Sequence, residues 1–93
     1  MDKQEQVGLI RLSIDGINYL RALPFHSTEF PAWRERVTQA LEKIYGKDSP
    51  EQRRFINAPG KAFVVRTEQG QREEYHRKLD CYESVLKSLI GEE

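Results

Sequence analysis

A chain of 93 residues, 38% apolar and 32% charged, can hold one modest core and is too apolar and too patterned to be disordered. Its 15 basic and 15 acidic residues cancel, which weighs against a dedicated DNA or RNA binder and against electrostatic attachment to an anionic membrane. The single cysteine, Cys81, excludes an internal disulfide; no apolar run approaches the roughly 18 residues that span a bilayer, and the first residues are not a secretory leader, so a cytoplasmic location is expected.

Residues 3–23 carry two conflicting signals. At helical spacing, Val7, Ile10, Ile14 and Ile17 share one side, and Leu9, Leu12, Tyr19, Leu20 and Leu23 lie beside it. The apolar arc is then very wide, roughly 240° of the wheel, as in a central helix. The rival is a hairpin: residues 10–14 and 17–19 alternate around Asp15-Gly16, a strong turn signal, and a glycine inside a helix costs about 1 kcal/mol relative to alanine. The helix is favoured because residues 19–23 do not alternate and the neighbouring elements are helical.

Pro24 ends that element, and Ser27 or Thr28 caps the next. From 29 to 45, Phe30, Trp33, Val37, Ala40, Leu41 and Ile44 recur at three- and four-residue steps, and Gly46 is the expected left-handed stop. Ser49, Pro50 and Gln52 spell a capping box for a short helix over 50–56, anchored to the core by Phe55 and Ile56. Asn57-Ala58-Pro59-Gly60 is a turn. The β-prone run 62–67 reads as a loop, because a lone strand would have no partner. Residues 69–90 return to helical spacing, with Tyr75, Leu79, Tyr82, Val85, Leu86 and Leu89 in one stripe. Glu73 with Arg77, Glu74 with Lys78 and Glu83 with Lys87 are set four apart in the favourable order, and Gly91 closes the helix. The expectation is a single all-α domain over 1–93, a small bundle of three long helices and one short one.

No motif for chemistry stands out. His76 and Asp80 could share a helix face, but no second ligand pair accompanies them, so a solvated face is the better reading. Cys81, at the edge of an apolar stripe, reads as a packing residue. No serine sits in a nucleophile elbow, and Ala58-Pro59-Gly60-Lys61 lacks phosphate-loop spacing. No catalytic, metal or cofactor residue is therefore nominated, and an enzyme is not expected. Two surfaces are. Leu9, Leu12, Tyr19 and Leu23 are candidates for apolar excess on the first helix, which would mark a protein-binding or self-association site. Arg34, Arg53, Arg54 and Arg66, with Arg36 and Lys61 nearby and Phe55 and Phe63 interleaved, are the nucleic-acid alternative; Glu29, Glu35, Glu42 and Glu51 neutralise that stretch.

The order Leu20-Arg21-Ala22-Leu23, Ser27-Thr28-Glu29-Phe30, Trp33-Arg34-Glu35-Arg36-Val37, Ala40-Leu41-Glu42-Lys43-Ile44-Tyr45-Gly46, Asp48-Ser49-Pro50 and Arg54-Phe55 resembles the N-terminal helical region of bacterial predicted nucleotide-binding proteins that carry a TIR-like domain. The resemblance spans about residues 17–56 and rests on packing and capping residues. It implies an accessory helical module, plausible in anti-phage defence, whose nucleotide chemistry belongs to a following domain. No catalytic residue carries over. The functional expectation is a non-enzymatic interaction or assembly module with a protein partner or a second copy of itself; weak nucleic-acid binding is the alternative.

Overall fold

The computed structural model describes residues 2–60 and 66–91. Four helices appear among them: α1 (Lys3–Arg21), α2 (Glu29–Tyr45), α3 (Pro50–Ile56) and α4 (Glu68–Leu89). The all-α bundle of three long helices and one short one is the observed architecture, and no strand occurs among the described residues. Residues 62–65 of the β-prone run, with Phe63, and the neighbouring Lys61 lie outside the described residues; Arg66 and Thr67 of that run are described and are not in a strand.

Each helix runs antiparallel to the next. Trp33 of α2 faces Ser13 and Gly16 of α1, Gln52 of α3 reaches Thr38 of α2, and Arg54 of α3 reaches Ser88 of α4. α1 and α4 close the ring. The backbones of α2 and α4 do not meet. Aromatic rings fill the space between them. Phe30 lies edge-on to Tyr75 with centroids 5.5 Å apart, Trp33 contacts Tyr82 at 5.7 Å, and Phe55 from α3 contacts Tyr82 at 4.7 Å. Separations of this size are those at which aromatic pairs attract beyond simple area burial. Around this belt pack Ile10, Ile17, Leu20, Val37, Leu41, Leu79 and Leu86, all buried.

Gly16 explains why the hairpin signal fails. A side-chain carbon at this position would lie 2.8 Å from the Trp33 indole nitrogen, which itself donates to the Ser13 carbonyl at 3.1 Å. The missing side chain lets the N–H edge of the indole approach the α1 backbone; burial of the tryptophan outweighs the local penalty of about 1 kcal/mol. Asp15-Gly16 is therefore a packing notch inside a helix, and no turn forms.

The caps differ from expectation in detail. Asp2 and Thr67 accept from Glu5 and Gly70 at the starts of α1 and α4. At α2 the Ser27 hydroxyl accepts from the Glu29 amide, while Thr28 makes no side-chain cap bond. At α3 the Ser49 hydroxyl accepts from the Gln52 amide, but the Gln52 carbonyl oxygen reaches back to the Asp48 amide, one residue before the expected Ser49. The Gln52 side-chain amide also donates to the Thr38 carbonyl, so one buried glutamine ties the start of α3 to the middle of α2. Gly46 has φ 102° and ψ 161°, a positive but extended conformation, and the left-handed residue of this turn is Asp48 at φ 59°. α1 ends at Arg21 rather than 23, because Ala22 and Leu23 turn back to donate to the Tyr19 and Leu20 carbonyls. Ile56 is not a core anchor. It is 50% exposed, and Phe55 is the apolar side chain that α3 buries in the core.

Candidate interaction surface

α1 contributes Ile10, Ile17 and Leu20 to the core, yet its opposite face is also partly apolar. Leu12 is 67% and Tyr19 60% exposed. They are seven residues apart, two helical turns, and so lie on one line with exposed Asp15 between them. Leu9 and Leu23 do not join them. Leu9 is half-buried where α1 meets α2, lining a shallow recess of about 600 Å³ with Arg36, Gln39, Ala40, Glu42 and Lys43. Leu23 packs against the core after the helix turns. The four-residue patch expected from sequence therefore contracts to two. Gly8 was not among the expected residues. It continues the same line at 8, 12, 15 and 19, and nothing lies within 4 Å of where its side chain would be. The available signal was its spacing from Leu12 together with the cost of glycine in a helix.

The arginines are less organised. Arg34, Arg53, Arg54 and Arg66 are all exposed. Arg54 donates to the Ser88 hydroxyl at 2.9 Å, which turns it toward α4. The four come from separate elements, α2, α3 and the segment before α4.

Charged side chains on α4 join elements of the fold. Arg21 bridges from α1 to Asp80 at 2.6 Å and to Glu83 at 3.3 Å, and Lys87 meets Glu83 at 3.0 Å, as the i,i+4 spacing predicts. The Lys87 hydrogen bond, with Arg21 adding to it, holds the Glu83 carboxyl below its usual range despite partial burial. Burial would lower the Arg21 pKa, but the hydrogen bonds to Asp80 and Glu83 raise it. Asp80 is thus committed to Arg21 rather than poised beside His76. Arg77 takes both Glu74 carboxylate oxygens at i,i+3, and this bond, with the Lys78 charge adding to it, depresses the Glu74 pKa. The other Arg77 amino group donates to the Pro59 carbonyl at 3.0 Å and approaches the Cys81 sulfur at 3.8 Å, clasping the turn after α3 to α4. Cys81 is half-buried beside that clasp. The Tyr75 hydroxyl donates to the Leu20 carbonyl at 2.6 Å, satisfying the end of α1, and burial raises its pKa. Every buried side-chain nitrogen and oxygen among the described residues has a partner.

A recess of about 680 Å³ is lined among the described residues by α4 alone, from Glu68 to Asp80. It mixes Arg72 and Arg77 with Glu68, Glu73 and Asp80 around His76. No group of three or more His, Cys, Asp or Glu that could hold a metal ion occurs among the described residues. No described helix is long and apolar enough to cross a membrane. Among protein-family models, curated proteins and solved structures, none matches the chain.

Proposed function

We propose that the domain is a non-enzymatic helical interaction module that presents the outward face of α1 to another protein surface. The observation that carries this reading is the exposure of Leu12 and Tyr19 on a helix that also supplies three core residues. Each side chain is mostly exposed and presents apolar area that association would remove from water. The resemblance noted in the sequence extends the proposal to an accessory part of a bacterial defence effector.

A photoreactive amino acid placed at position 12 or 19, in cells that naturally make the protein, tests the reading. Defined protein adducts are expected from both positions and none from position 34 on α2. Absence of adducts from both α1 positions at native abundance overturns it. The runner-up is weak nucleic-acid binding, favoured by the common exposure of Arg34, Arg53, Arg54 and Arg66. It requires salt-dependent binding to single- or double-stranded nucleic acid at low ionic strength; a flat titration removes it.

A further inference from the structure

We infer that the outward face of α1 pairs with a second copy of itself, antiparallel, by seating Tyr19 of each copy in the notch at Gly8 of the other. This rests on the interaction-module reading and names its partner.

Two glycines lie inside α1, and the domain explains only one. Gly16 makes room for Trp33. Among the described residues Gly8 makes room for nothing, since no atom of theirs lies within 4 Å of where its side chain would be. It nevertheless carries the usual helical penalty of about 1 kcal/mol relative to alanine. A mid-helix glycine without an internal contact is accounted for when an outside group approaches the backbone closely. A shallow recess of about 350 Å³ borders Gly8 on the Arg11 side, lined among the described residues by Lys3, Gln4, Val7, Gly8 and Arg11. Tyr19, the largest exposed side chain on the helix, stands eleven residues further along the same line, about 16 Å away at the rise of an α-helix.

A protrusion and a notch on one helix face form a self-complementary pair under a two-fold axis, in which residue i meets j and j meets i. With Gly8 opposite Tyr19 of the copy, the axis crosses between Ser13 and Ile14. Three consequences follow from the register. Leu12 lies next to the axis and meets its own copy, which buries the other exposed apolar side chain. Arg11 of each copy comes level, within one residue, with Asp15 of the other, giving two symmetric opposite-charge contacts. A two-fold normal to the plane of both helices also keeps like edges together: Leu12 occupies the edge toward α2, whereas Arg11 and Asp15 occupy the edge toward α4. Apolar thus meets apolar and charge meets opposite charge. A single helix crossing buries less than the roughly 1,200–2,000 Å² of stable interfaces, so the dimer belongs to the weak, concentration-dependent class.

Sedimentation equilibrium of the whole chain across micromolar to millimolar concentration tests this. A reversible monomer–dimer equilibrium is expected. Gly8→Ala discriminates because its two effects have opposite sign: it raises the thermal midpoint of the dilute monomer through helix propensity and weakens the dimer by filling the notch. Arg11→Asp alone and Asp15→Arg alone are each expected to weaken association, and the double exchange to restore it. In a Cys81→Ser background, Gly8→Cys and Tyr19→Cys chains, mixed, are expected to form an 8–19 disulfide that only the antiparallel register permits. A strict monomer up to ~1 mM overturns the inference, because any affinity tighter than this would show as a dimer. A dimer insensitive to Gly8→Ala, or crosslinked in parallel register, also overturns it. A monomer that still gives adducts to a different protein from positions 12 and 19 defeats self-pairing while leaving the interaction-module reading intact.

Discussion

The inner and outer faces of α1 carry similar residue types under opposite constraints. On the inner side, Gly16 is packed against the Trp33 indole, and Ile10, Ile17 and Leu20 are closed over by α2 and α4. On the outer side, Gly8 faces open space and Leu12 and Tyr19 face water. The same amino acid is thus a fitted part of the core at one position and an unfilled notch two turns away. Residue identity alone does not separate packing from binding; what the missing side chain would have met does.

That contrast can be broken most severely at Trp33. Trp33→Ala removes a buried indole, its contacts with Phe55 and Tyr82, and its bond to the Ser13 carbonyl. A loss of about 3–5 kcal/mol is expected, read by chemical denaturation followed by circular dichroism. Next comes Gly16→Ala, where a methyl group must enter space already held by the indole. Overpacking of this kind costs about 1–3 kcal/mol, more than the propensity gained, so the midpoint falls. The same substitution at Gly8 is expected to raise it, and equal signs at the two sites would erase the distinction between the faces.

Smaller effects come from the seam between α1 and α4. Tyr75→Phe keeps the ring and deletes the donor to the Leu20 carbonyl, with an expected cost of about 1 kcal/mol by denaturant titration. The least effect is in pH. Glu83 and Glu74 have pKa values below the usual 4.5 in the folded chain. Their contribution is complete above 4.5 and is lost as the pH falls through the lower folded values, because protonation removes the bonds from Lys87, Arg21 and Arg77. Thermal midpoints recorded from neutral pH downward should therefore hold steady to about pH 4.5 and decline below it. In Glu83→Gln that decline should be shallower.

Much of the fold was legible because Trp33, Val37 and Leu41, and later Tyr75, Leu79, Tyr82 and Leu86, repeat at the spacing of one buried helix face. The short helix was legible from Ser49 and Pro50. What sequence alone did not reveal lies between elements distant in the chain. It could not show that Trp33 lies over Gly16, that Arg77 holds the Pro59 carbonyl, or that Asp80 pairs with Arg21. It also overcounted the apolar excess of α1. Leu9 and Leu23 are at the margin of the arc, and only the positions of α2 and the turn at Ala22 decide that they are half covered.

The ring of contacts in which α1 meets α2, α2 meets α3, α3 meets α4 and α4 returns to α1 also constrains how the chain acquires its structure. Three of these joints connect neighbours along the chain, across intervening segments of 7, 4 and 11 residues. The fourth joins the first helix to the last, closes the longest loop and is the costliest single closure of the four. The Tyr75–Leu20 and Arg21–Asp80 bonds sit on that fourth joint. If it forms after the folding barrier, weakening it accelerates unfolding and leaves the folding rate nearly untouched. The tie between the outermost helices would then set how long the native chain persists, while the aromatic belt sets how stable it is.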